Sequence, residues 1–405
     1  MNHNSIIAVT GIGMITPLGI STKENWENME LGRSGIQKIT KFDVSDCAVQ
    51  IGGQLPESYY SLEKTVFHKR LFKQTNRATR LAGISARQAI EDSQLDLTHI
   101  LSDECAAIIG SSGSSVRGPD ERMDGTDSYK IIREMFNASA ARVSLDSGFR
   151  GPCYTASAGS ESGICAITQA YELIKRQHAK IVVAGGTDTL LTKNYIRRLE
   201  AYHFLSHDNQ SPENAIKPFD THRNGMAVSD GGCAVILESL EHAEKRNARI
   251  YALMMGYGSG FYGGQVERYK SASAAMRQAL NRVSIKPDHI DYINANGLAT
   301  IHDDRNEALA IHDLFRDKTK KPFVNSQKSM TGHCFSASGV VEFAITALSL
   351  YHRKLLPHIN CTSQDPDCPI RLVPNHSISE HNINAAMCNT FGLSGQNYSV
   401  ILYKA

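Results

Sequence analysis

Short apolar runs bounded by glycine alternate with longer amphipathic stretches along this whole sequence, and that alternation limits the fold more than any other feature. Ile6 to Thr10, Ala106 to Ile109 and Lys180 to Ala184 each read as a buried strand. A later segment carries Ile164, Ile167, Tyr171 and Ile174 at helical spacing, a single apolar stripe to set against a sheet. The second part repeats the plan. Ile290 to Asn294, Pro322 to Asn325, Asn384 to Thr390 and Tyr398 to Tyr403 are strand candidates, and a helical pattern follows Gly339. This alternation predicts an α/β architecture with mostly parallel sheets. No Pro/Ser-rich linker divides the chain. Near residue 250 a charged helix, "LESLEHAEKRNAR", gives way to the strand "IYALMMGYGS". We therefore expect two similar halves, 1–250 and 251–405, in one duplicated body.

Several functional classes drop out early. A formal net charge of +2 argues against a nucleic-acid surface. No apolar run reaches the roughly 18 residues of a membrane span. The opening "MNHNSIIAVTGIG" has no basic leader or small-residue cleavage site, so a cytoplasmic location is expected. Nine scattered cysteines without a CxxC pair predict reduced, mostly buried thiols, not a disulfide framework or a zinc site. The histidines show no HExxH, so no metal is expected. "GIGMIT" lacks the third glycine of a dinucleotide fingerprint. "GSESG" has Glu161 at its centre, where a hydrolase elbow requires serine.

Several blocks, in order from residue 8 to residue 397, resemble the elongating β-ketoacyl-carrier-protein synthases. They are "VTGIGMITPLG", "ENWENMELGRSGI", "KIVVAGGTD", "KPFDTHRNGMAVSDGGCAVILESLEHAEKRNARIYA", "NSQKSMTGHCFSASGVVE" and "NTFGLSGQN". The resemblance implies a thiolase fold, a duplicated five-layer αβαβα arrangement. It also implies a chemistry: decarboxylative condensation of acyl units held on a carrier protein. In that family a cysteine at a helix N-terminus holds the growing chain. Two histidines stabilise the charge developing on the malonyl thioester oxygen, and a lysine supports them. The physics is consistent, because a helix N-terminus lowers a thiol pKa from about 8.5. Each fixed donor facing an oxyanion is worth about 2.7–4 kcal/mol.

The residues depart from that pattern. The cysteine position falls on Ser160, while Cys153 and Cys165 flank it out of register and read as packed thiols. The first-histidine position, "NAHGT" in the family, is Asn296 in "NANGLAT". His333 and Lys328 remain within "KSMTGH", and Asp304 and Glu307 match the acidic pair after the first-histidine loop. "GLSGQN" stands where "GFGGTN" is usual, with Phe391 kept before it. A serine hydroxyl is a poor nucleophile without a base in reach, and His333 is the one expected base. Asn296 can donate a hydrogen bond but cannot carry a proton. No catalytic set is intact.

That combination resembles the chain length factor, the ketosynthase-like beta subunit of a type II polyketide synthase, of aromatic polyketide or aryl polyene type. Such a subunit pairs with an active ketosynthase as a heterodimer and limits acyl chain length without condensing. Two alternatives stand beside it: an acyltransferase or loading enzyme using Ser160 with His333 as base, and an engineered inactive synthase. The resemblance further implies an acyl carrier protein as partner, which supplies the phosphopantetheine arm, so no other cofactor is expected. Its docking surface would lie on the acid-free stretch from Lys64 to Ile90, at Lys69, Arg70 and Lys73. Met135 and Phe136, before the "RGP" turn, would lend bulk to the neighbouring subunit's acyl tunnel, and Phe391 is grouped with them as an acyl-tunnel or interface residue.

Overall fold

The computed structural model describes residues 6–98, 100–113, 128–264, 267–318, 321–379 and 382–405; the first five residues of the opening segment lie outside them. Ten strands make the main sheet. In chain order they are β1 (Ile7–Ile15), β2 (Cys105–Gly110), β3 (Cys153–Ala156), β4 (Ile181–Asp188), β5 (Gly231–Ser239), β6 (Ala252–Phe261), β7 (Tyr292–Asn294), β8 (Phe323–Asn325), β9 (Ala385–Phe391) and β10 (Gln396–Tyr403). The helices that matter below are α1 (Lys69–Gln74), α2 (Arg77–Ser93), α3 (Ala138–Ser147), α4 (Ser162–Lys175), α5 (Arg268–Val283), α6 (Ile301–Phe315), α7 (Lys328–Thr331) and α8 (Ser338–His352).

The duplication, faint in sequence, is plain in the strand order. Across the first half the order is β3-β2-β4-β5-β1, and across the second it is β8-β7-β9-β10-β6. Each half places its own third, second, fourth, fifth and first strand in the same sequence. Each also repeats the same polarity. The inner strand (β2 or β7) runs parallel to both neighbours, and the remaining pairings are antiparallel.

The expected α/β thiolase architecture is present, with two corrections to its sheets. They are mixed rather than mostly parallel, because the returning strands β5 and β10 run against their neighbours. The two halves are also hydrogen-bonded into one sheet, since Ile7 to Val9 of β1 pair antiparallel with Ala252 to Met254 of β6. A run of apolar residues cannot report strand direction. It reports burial on both faces, as in β1, where all nine residues are buried.

Helices α4 and α8 pack against each other in the middle layer, with α2 and α3 on the first half and α5 and α6 on the second. The predicted stripe of α4 is buried at Ile164, Ile167, Tyr171 and Ile174. In α8 burial runs almost all the way round, as its near-continuous apolar sequence requires. Gly163 makes the close approach possible: a Cβ there would lie 2.0 Å from the Ser336 carbonyl oxygen. The β3–α4 and β8–α8 connections, equivalent by the internal repeat, are thereby brought side by side. Among the described residues, no helix is long and apolar enough to cross a membrane.

Candidate functional site

At the end of β3 the chain passes Gly159, whose φ of +69° suits glycine, and turns into α4 through Ser160 and Glu161. Ser160 is 9% exposed and Glu161 only 2%. The Ser160 hydroxyl donates to Glu161 Oε1. Glu161 Oε2 is buried with no hydrogen-bond partner. Burial pushes this carboxyl up to about 7, opposed by the Ser160 hydrogen bond and by the Lys328 and Arg268 charges. The carboxyl lies against the altered glycine loop, where a Cβ on Gly392 would come 2.0 Å from Oε2. Arg268 donates to the Gly392 carbonyl at 3.1 Å and pairs with Asp303 at 2.8 Å.

The equivalent connection in the second half is wired more densely. Lys328, 1% exposed, directs its ammonium at three oxygens: the Asn296 carbonyl at 2.7 Å, Asn296 Oδ1 at 3.0 Å, and Glu342 Oε1. Three donors thus meet three acceptors. Burial pushes Glu342 up to about 7, with Lys328 pulling the other way. Asn296 Nδ2 donates to the Phe391 carbonyl at 3.0 Å, tying the first-histidine position to the end of β9. The loop bearing Asn296 hangs on the buried acids. Glu307 accepts from the Asn296 and Gly297 amides at 2.9 and 2.8 Å. Asp304 accepts from Phe219 and Ala299 at 2.7 and 3.0 Å. Burial raises both carboxyls, Asp304 to about 8.

His333 stacks on Phe335 with ring centroids 4.6 Å apart, and its Nδ1 lies 2.9 Å from Ser338 Oγ. Burial, with Lys328 adding to it, holds the imidazole well below its ordinary range, so it is neutral at pH 7. Ser338 Oγ already accepts the Cys334 amide at 2.8 Å. Its own proton is then free for Nδ1, which favours the tautomer with hydrogen on Nε2.

The structure therefore gathers Asn296, Lys328 and Phe391 into one hydrogen-bonded cluster, with Lys328 also electrostatically coupled to His333 and Glu161. It does not pair Ser160 with His333. The serine bonds Glu161, while the His333 ring bonds Ser338. Glu161 and Glu342 are the residues that sequence reasoning missed. The available signal was an acid opening one apolar helix and a lone acid inside another, "SGVVEFAITALSLY", since a buried carboxyl needs a partner.

The remaining candidates lie apart. Lys69, Arg70 and Lys73 are exposed on α1. The basic stretch as a whole is not one surface, because Arg80 is buried against Glu63 at 3.0 Å and stacked over Phe72. Met135 and Phe136 are 47% and 73% exposed, in company with Ile131, Ile132 and Leu145. Helix α3, which follows them, packs on β2 and on β3, the edge strand.

Over residues 4–243 the sequence matches the beta-ketoacyl synthase N-terminal domain, and over 251–362 the C-terminal domain. A 3-oxoacyl-[acyl-carrier-protein] synthase 2 from Staphylococcus aureus (strain COL) is 31% identical over 420 residues, covering 100% of this chain and 99% of the relative. A solved structure described as a type II PKS acyl-carrier protein in complex with its ketosynthase bound to the hexaketide superposes with a TM-score of 0.87. Its identity is 26%, over 98% of this chain and 99% of that one. The ishigamide ketosynthase/chain length factor superposes with a TM-score of 0.89 at 24% identity over 99% of both chains, a likeness of fold. This chain belongs to the beta-ketoacyl synthase family.

Proposed function

We propose that the chain is a non-condensing subunit of chain length factor type, which pairs with an active ketosynthase in a type II polyketide synthase and limits acyl chain length. The observation that carries this reading is the simultaneous replacement and rewiring of two reacting positions. Ser160 offers a hydroxyl where condensation uses a thiol. Asn296 is held by Lys328 and by the Phe391 carbonyl, and an amide cannot relay a proton. The buried frame around them is kept, which suits a scaffold role.

A protein partner is supported by the exposed apolar residues Ile131, Ile132, Met135, Phe136 and Leu145, the last on helix α3, which packs on the edge strand β3. An acyl carrier protein as second partner is supported by the exposed Lys69, Arg70 and Lys73, which present positive charge to an acidic protein. Two solved relatives, by their descriptions, are a carrier protein with its ketosynthase and a ketosynthase/chain length factor. The Staphylococcus aureus relative is by its name a synthase, so the non-condensing role rests on Ser160 and Asn296. The test is co-expression with a ketosynthase from the same gene neighbourhood, followed by sizing and a condensation assay. A heterodimer that condenses only through the partner's cysteine is expected. A stable homodimer that ignores the partner, or condensation by this chain alone, would overturn the reading.

A further inference from the structure

We propose that Ser160 and Glu161 form a nucleophile–base pair that accepts an acyl group from a pantetheine-type thioester, so that a chain unable to condense is still able to be acylated. The proposal goes beyond the chain length factor reading and borrows from it only the premise that acyl thioesters reach this site.

The geometry is that of a hydroxyl already delivered to its base. Ser160 Oγ donates to Glu161 Oε1, and both side chains are buried at the mouth of α4. Apart from that bond, the backbone hydrogen bond at its own residue is, among the described residues, the one other hydrogen bond acting on the carboxyl. Glu307 and Asp304 each bind two backbone amides, whereas Glu161 Oε2 is buried without any partner. Glu342 Oε2 is empty too, but that carboxyl is bonded to the Lys328 ammonium, whereas the donor to Glu161 is a hydroxyl able to act as nucleophile. Gly392 makes room for the carboxyl itself, since a Cβ there would lie 2.0 Å from Oε2.

The electrostatics agree. A general base works best with a pKa near the working pH, and burial brings Glu161 to about 7. The Lys328 and Arg268 charges favour the charged form of the carboxyl, and the Tyr398 phenol also feels its charge. The nucleophile stands two residues before a helix of 14 residues, whose N-terminal dipole favours the negative charge of attack.

The step balances without any co-reactant. Ser160 Oγ attacks the thioester carbonyl carbon; a C–O bond forms and the C–S bond breaks. The hydroxyl proton passes to Glu161 Oε1 and then to the departing sulfur, which leaves as a free thiol. The product is an ester on Ser160.

The experiment uses the full chain with acetyl-pantetheine and intact-protein mass spectrometry. This small thioester needs neither carrier docking nor a partner ketosynthase. One acetyl group is expected on Ser160, absent in Ser160→Ala, with a rate that rises with pH through an inflection near 7. Glu161→Gln, nearly isosteric, is expected to slow acylation by about 10²-fold and to flatten that profile. Circular dichroism and thermal unfolding verify that each variant is folded. No ester in the wild-type chain, an ester on another residue, or a folded Glu161→Gln with the wild-type rate and profile would overturn the proposal. The two readings fail separately. A chain that pairs with a ketosynthase but is not acylated removes this inference alone, and one that is acylated but never pairs removes the chain length factor reading alone.

Discussion

The β3–α4 and β8–α8 connections occupy equivalent places in a duplicated fold, yet they give a buried carboxyl different donors. In the second half a lysine, two glutamates and an asparagine close a network in which the Lys328 ammonium meets three acceptors. Glu342 and Glu161 each keep one buried oxygen without a partner, but Glu342 is bonded to the Lys328 ammonium whereas the donor to Glu161 is the neutral Ser160 hydroxyl. A buried carboxyl bonded to a cation chiefly holds structure in place, whereas one bonded only to a hydroxyl is poised to exchange a proton with it. The β8–α8 connection thus reads as frame, and the β3–α4 connection as the place where chemistry remains open.

The largest effect should come from breaking the frame. Lys328→Met leaves Glu342 buried without its cation, and we expect a loss of about 3–5 kcal/mol in urea unfolding at pH 7. Converting both partners, Lys328→Met with Glu342→Leu, should recover most of that loss. If the double variant is no better than the single one, the network is not the stabilising unit described above.

In the other connection the sign reverses. Glu161 has its pKa raised from 4.5 to about 7, so the folded state favours the neutral acid. Its stabilising contribution is complete below pH 4.5 and is lost as pH rises through 7. Glu161→Gln should therefore stabilise the chain by on the order of 2–3 kcal/mol at pH 8 and by little at pH 4.5. A pH-independent difference in unfolding free energy would show that the carboxyl does not titrate in this range.

Asn296 joins the two ends of the comparison. Asn296→Ala removes the donor to the Phe391 carbonyl and one acceptor of Lys328, with an expected cost of about 1–2 kcal/mol. An effect below about 0.3 kcal/mol would mean that water replaces the amide without penalty. The smallest stability effect belongs to the exposed surface. Met135→Ala and Phe136→Gly should change the isolated chain by about 0.5 kcal/mol or less. In a heterodimer the same variants should lengthen the product, since an acyl chain extends only into space that side chains leave free. An unchanged product distribution from a folded, active heterodimer would remove both residues from the tunnel.

Much of this protein was legible in its sequence because the signals are local. Periodicity placed the strands within a few residues of β1, β2, β4, β7, β8, β9 and β10, and it found the buried stripe of α4. Ordered motifs located Ser160, Asn296, Lys328 and His333. What the tertiary structure alone decided is pairing over long separations. Strand direction in β5 and β10, and the seam between β1 and β6, follow from which edges meet in space. The acid facing Ser160 is another case. "GSESG" read as a motif discards Glu161 for not being serine, and the His333 that looked available is turned to Ser338. Whether an acid serves as a base depends on how far it is desolvated and which charges surround it. For Glu161 those are set by Gly392, Lys328 and Arg268, residues from the other half of the chain.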